Sequence, residues 1–195
     1  MQTLSKVPEL QDEFTREWHS RQELPADRNG LERLIIEQHL SNFRLWHEED
    51  QARTPNAPAE KIAQVKRNID QLNQQRNDLI EEIDRTLLES LKHIDARSAE
   101  LHSETPGMMI DRLSILSLKL YHTREEMERG DATEEHRARN RERLKILEEQ
   151  KSDLAKTLNR LWEDLHAGRR RFKLYRQLKM YNDPALNPEI YRRKG

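Results

Sequence analysis

MMIDRLSILSLKLYH (residues 108–122) carries apolar side chains on almost every side of a helix. A helix without a polar face has to be covered on all sides, so this stretch predicts the central buried helix of an all-α fold. HSETPG (102–107) before it reads as a turn, with Thr105 or Ser103 available as the cap. The free backbone N–H groups behind that T-P-G start are a generic anion site. RGD (129–131) ends the helix. Thr133 then caps a fifth helix with Glu134 and Glu135 in its first turn, where the helix dipole favours acid. Leu144, Leu147, Leu154, Leu158, Leu161 and Leu165 mark its seam. Unbroken to Tyr181, that helix would measure about 70 Å at 1.5 Å per residue.

Toward the N-terminus, Ile62, Val65, Ile69, Leu72, Arg76, Leu79 and Ile83 form a coiled-coil-like seam with one charged member. It predicts a third helix from Ala59 through Leu87 and Leu91 to about Ala96. TPNAPA, with two prolines, separates it from a second helix over residues 31–53. Leu10, Phe14 and Trp18 recur every four residues in a first helix over 8–23, and LPADRNG (24–30) connects the two. The expected architecture is an antiparallel helical bundle with a long C-terminal helix. It is one domain over 1–195, with 182–195 an irregular tail.

Composition agrees. Among 195 residues, 36% are charged and 34% hydrophobic, with 5 glycines and 7 prolines, which is a long-helix composition. The regular apolar spacing argues against disorder. With no cysteine there is no disulfide, thiol nucleophile or thiolate metal site. No apolar leader core and no membrane-length run is present, so a cytoplasmic protein is expected. No glycine-rich phosphate loop or serine-nucleophile motif stands out, and no cofactor is implied. The net charge of −1 conceals an asymmetry: beyond Gly168 stand nine Lys/Arg against two Asp/Glu. Such a basic end suits phosphates, anionic lipid or the chain's own acidic body, the last being the preferred reading. GRRRFKLYRQLK (168–179) mixes Arg with aromatics, yet without a reading motif nucleic acid is not the expected partner.

Function, if chemical, should sit where polar groups enter apolar faces. On the second helix Ile35, Ile36, Leu40, Phe43 and Trp46 define an apolar arc. His39, Asp50 and His47 fall inside it, with Asn42 and Arg53 on one edge. Burying such groups unpaired costs several kcal/mol, so each needs a partner. Folding the chain near residue 57 brings His39 and Asn42 opposite Asn73, Arg76 and Asn77, and His47 and Asp50 opposite Lys66 and Asp70. Asp111 is the natural counter-ion for Arg76, while Arg112 and Lys119 could hold an anion. His39, His47 and Asp50 are thus the catalytic candidates. Asn42, Asn73, Arg76, Asn77, Asp111, Arg112 and Lys119 are the ligand-binding ones. His47, Asp50 and Asp70 would suit zinc, manganese or iron, although the Glu-x-x-His pairs usual in bundle metal centres are missing.

HLSNFRLWHEEDQAR (39–53), KRNIDQLNQQRND (66–78), SETPGMMIDRLSILSLK (103–119) and YRQLKMYNDPALNP (175–188) together resemble a bacterial all-α family of about this length, domain of unknown function 4254. Leu45, Trp46, His47, Glu49 and Asp50, then Asn73, Arg76, Asn77 and Asp78, follow its LWHxED and NxxRND pattern without departure. The resemblance implies a setting among genes for lipopolysaccharide and other surface-glycan assembly, beside glycosyltransferases. It implies no activity, cofactor or catalytic residue. Two functions remain open. One is an accessory protein that docks on a glycosyltransferase or similar enzyme, with a homodimer formed along the fifth helix. The other is an enzyme or binder for a phosphorylated sugar or nucleotide, with His39 or His47 as base, Asp50 orienting it, and Arg76, Arg112 and Lys119 on phosphate.

Overall fold

A computed structural model describes residues 4–21, 23–25, 28–178, 180 and 183–192. The described chain is a helical bundle of α1 (Val7–Ser20), α2 (Gly30–Ala52), α3 (Ala59–Ser90), α4 (Pro106–Glu128) and α5 (Glu134–His166), followed by the single turn α6 (Pro188–Tyr191). Two short strands, β1 (Glu100–Leu101) and β2 (Arg170–Arg171), pair in parallel.

α4 is the buried centre. Met109, Ile110, Leu113, Leu118 and Leu120 are all buried, and α1, α2, α3 and α5 all pack against α4. Its apolar side chains join Ile83 and Leu87 of α3 and Leu158, Leu161 and Leu165 of α5 in one core. Each such side chain contributes about 1.5–3 kcal/mol on full burial, so this cluster holds the bundle together. α2 and α3 run past each other in opposite directions: Asn42 meets Arg76, Glu48 meets Asn68, and Gln51 meets Lys61. Lys151 of α5 is buried against α1, where its ammonium bonds Asp12 and the Pro8 carbonyl.

Two helix ends differ widely from those expected. α3 stops at Ser90 rather than near Ala96. There Leu91 and Lys92 bond back three residues, to Leu88 and Glu89, and the Ser90 hydroxyl donates to the Leu87 carbonyl. α5 stops at His166 and does not run on to Tyr181, so it spans about 50 Å rather than 70 Å. Gly168 adopts φ +68°, while Arg169 N–H bonds the Asp164 carbonyl and Gly168 N–H that of Leu165. That is a Schellman ending, which closes a helix wherever glycine can take the left-handed conformation. The strands were not anticipated either; β2 reverses the chain beside β1, and Phe172 enters the core just after it. Of the expected irregular tail, 182 and 193–195 lie outside the described residues.

At the start of α4, Thr105 is the cap and accepts from Met108 N–H. The Gly107 N–H donates to Asp84 Oδ1 at 2.7 Å, so a carboxylate of α3 already occupies the place assigned above to an exogenous anion. This contact depends on glycine. A Cβ at residue 107 would lie 2.8 Å from both Asp84 Oδ1 and the Ile80 carbonyl oxygen. Gly107→Ala should therefore force α3 and α4 apart and lower stability by about 2 kcal/mol or more. Urea unfolding of wild type and variant measures this; an unchanged midpoint would contradict the tight seat.

Candidate functional site

The polar groups of α2 fall on two sides of the helix. On one side His39 is fully buried, with Nε2 3.0 Å from Thr15 Oγ1 of α1 and Nδ1 2.7 Å from Ser114 Oγ of α4. The Thr15 hydroxyl donates to the Gln11 carbonyl, so at His39 it accepts, and the ring carries its hydrogen on Nε2. Nδ1 then accepts from Ser114, whose oxygen accepts in turn from Asn42 Nδ2 at 2.9 Å. Burial pushes the His39 pKa down to about 3, in keeping with this neutral, doubly bonded ring. His39 therefore neither faces Arg76, Asn73 and Asn77 nor meets solvent, and it is corrected from catalytic candidate to structural residue.

The other hydrogen of the Asn42 amide goes to Asp111 Oδ1, at 2.9 Å, and Gln38 Nε2 reaches the same oxygen at 2.5 Å. Arg76 completes the group with Nη1 3.5 Å from Asn42 Oδ1 and Nε 3.8 Å from Asp111 Oδ1. These two contacts are long, and Arg76 Nε is buried without a hydrogen-bond partner. Burial raises the Asp111 pKa, while Arg76 and the Asn42 amide pull it down. Arg76 and Asp111 thus meet, and the Arg76 side chain is 26% exposed.

Beside Arg76 the surface opens. A cleft of about 710 Å³ lies between α3 and α4, and Asn73, Arg76, Asn77, Asp111, Arg112 and Gln177 stand in its wall. Asp70 and Lys66 line it too but bond each other, and Arg112 pairs with Glu104 at 2.5 Å. Asn73 donates to the Ile69 carbonyl of its own helix, so its amide does not cross to α2. A second cleft of about 330 Å³ adjoins the first at Arg76 and Asn73, and there Asn42, Trp46, Asp50 and Arg53 supply the other wall. Lys119 is exposed and lines neither.

His47 belongs elsewhere. It lies edge-on to His19 at 5.3 Å, to Phe43 at 4.5 Å and to His122 at 5.8 Å between ring centroids. His19 stacks on Tyr121 at 3.9 Å and His122 on Trp46 at 4.7 Å. His19 Nδ1–H donates to the Thr15 carbonyl and His122 Nδ1 faces Glu125 Oε2, which leaves both Nε2 atoms buried without partners. Burial, then His19 and His122, lower the His47 pKa. Asp50 is exposed at the end of α2 and is not buried in its apolar arc; it stands on the wall of the smaller cleft. The His47, Asp50 and Asp70 metal set is thereby overturned. Its members face three ways, and among the described residues no group of three His, Cys, Asp or Glu could hold a metal ion.

Residues 32–174 match the family described as Protein of unknown function (DUF4254). The chain belongs to this family. No curated protein and no solved structure matches it. The match to the family covers α2 through β2 and contains Asn42, Asn73, Arg76, Asn77, Asp111 and Arg112, whereas Gln177 lies beyond it.

Sequence reasoning missed Thr15, Gln38 and Ser114, the groups that satisfy His39 and Asp111, and also the rings of His19 and His122. Small hydroxyls on an apolar helix carry no periodic signal. The three rings sit 28 and 75 residues apart in sequence, joined only by packing.

Two buried groups predict opposite pH dependences. His39 titrates near 6.5 when unfolded and near 3 when folded, so its contribution is present above pH 6.5 and lost as pH falls toward 3. Burial raises Asp84 from 3.8 to about 6, so its contribution is present below pH 3.8 and lost as pH rises through 6. Between pH 6 and 4 they oppose each other, each by about 1.4 kcal/mol per pH unit. Asp84→Asn should therefore lose stability on acidification more steeply than wild type, and His39→Gln less steeply. Urea midpoints at several pH values check both slopes.

Proposed function

We propose that the chain binds a hydroxyl-rich, anionic small molecule, a phosphorylated sugar or a nucleotide in class, in the cleft between α3 and α4. The observation that carries this reading is the outer end of the polar network. Asn42 and Gln38 hold Asp111 firmly, yet Arg76 reaches that pair only at 3.5 and 3.8 Å, and its side chain stays 26% exposed at the edge of an open cleft. A guanidinium held this loosely keeps N–H groups for an incoming anion, and a ligand phosphate or carboxylate can take them in two-pronged fashion. Asn73, Asn77 and Gln177 add amides suited to hydroxyl groups. Lys66 and Arg112 already have carboxylate partners, so Arg76 is the cation that meets the anionic group. Binding rather than chemistry is the reading, because neither His39 nor His47 lines this cleft.

A second reading makes the chain a non-enzymatic, cytoplasmic accessory protein that docks on a glycosyltransferase or related enzyme of surface-glycan assembly. Ile146, 56% exposed midway along α5, favours a protein partner there or the homodimer expected along that helix. Against an extensive dimer, Leu147, Leu154, Leu158, Leu161 and Leu165 of the α5 seam are spent on the core of the same chain.

Thermal denaturation with a panel of nucleotides, nucleotide sugars and sugar phosphates separates the two. At about a hundredfold excess over Kd, a ligand adds about 2.7 kcal/mol, or roughly 5–10 °C in Tm for a chain of this size. Arg76→Ala and Asn73→Ala should each abolish most of that shift. No shift with any compound, or an equal shift in wild type and both variants, removes the cleft from consideration.

A further inference from the structure

Past Phe172 the chain still touches α3, where Gln177 N–H bonds Glu81 at 3.1 Å, but most of its side chains face away from the bundle. Among the described residues, nine large hydrophobic side chains are exposed, and six of them fall in one short stretch: Tyr175, Leu178, Met180, Leu186, Ile190 and Tyr191. Leu178 is 80% exposed and Met180 60%. Basic residues are interleaved with them. The first of the basic run return to the body, where Arg169 pairs with Asp164 and Arg170 lies 3.9 Å from Asp164 and from Glu100. That much agrees with docking on the chain's own acidic surface. Lys173, Arg176 and Arg192 do not: among the described residues their side chains make no ion pair or hydrogen bond, and all three are exposed.

We infer that this C-terminal segment is a docking surface for an anionic lipid bilayer. Two features on one stretch point there. Unpaired Lys and Arg are drawn to a negatively charged headgroup layer, and aliphatic side chains beside them gain by entering the acyl boundary below. Nucleic acid would neutralise the same cations but would leave Leu178, Met180 and Ile190 in water, because it offers no apolar layer to receive them. The charge balance also sets the orientation. Nine Lys/Arg and two Asp/Glu lie beyond Gly168, so the remaining chain carries a net −8 and is repelled by the surface that attracts the tail. No helix of the described residues is long and apolar enough to cross a membrane, so the contact is peripheral. The inference stands apart from the ligand cleft and survives if that cleft proves empty.

Co-sedimentation of the full chain with vesicles tests it. The chain should sediment with phosphatidylcholine vesicles containing a third phosphatidylglycerol, weakly or not at all with phosphatidylcholine alone, and less as salt is raised. Lys173→Glu with Arg176→Glu should weaken binding about tenfold or more, and Leu178→Ser with Ile190→Ser should weaken it as well. These positions are exposed, so circular dichroism should show folding unchanged in both double variants. The inference is overturned by absence of sedimentation with the anionic vesicles, by sedimentation unchanged in both double variants, or by binding to single-stranded RNA without binding to vesicles.

Discussion

A helix with only a narrow polar edge must be enclosed, and nearly every polar group it carries into the enclosure is answered by a neighbour, Ser117 Oγ excepted. That constraint on α4 governs the rest of the molecule. Gly107 N–H is answered by Asp84 of α3, Ser114 by His39 and Asn42 of α2, and Asp111 by Gln38, Asn42 and Arg76. Leucine and isoleucine supply the energy of burial, but these few bonds decide which turn of each surrounding helix faces α4. They fix register at little net gain in stability, as buried polar networks usually do.

The network has a sealed half and an open half, and their chemistry follows from that difference. At the sealed half His39 has both nitrogens engaged and is kept neutral by burial. At the open half Arg76 is held loosely, with its side chain part exposed on the wall of the cleft. The same row of side chains is therefore sealed at one end and open to the cleft at the other. The histidine and aromatic cluster around His47 joins the end of α1 to α2 and α4, and borders the second cleft through Trp46.

The architecture was largely legible from periodicity, because long apolar seams tolerate few alternatives. The all-round apolarity of residues 108–122 marked the centre, and Thr105 and Thr133 marked two helix starts. The site was legible in part. Arg76 and Asp111 could be paired because each was the conspicuous charge on an apolar surface. His39, His47 and Asp50 could not be sorted, since a helical wheel says that a residue is near an arc but not which neighbour lies beyond it. The end of α5 was misjudged for a different reason: the leucine seam was followed past a glycine whose left-handed conformation stops the helix.

The hydrogen bonds around His39 also have a direction. Asn42 donates to Ser114, Ser114 to the ring, the ring to Thr15, and Thr15 to a main-chain carbonyl. The carbonyl at one end can only accept and the Asn42 amide nitrogen at the other can only donate, so both ends set the same direction. The row is therefore a one-way arrangement of dipoles fixed by the backbone of α1. It polarises each member in the same sense, and it is closed to the back-and-forth hopping by which a proton travels along a hydroxyl–imidazole wire.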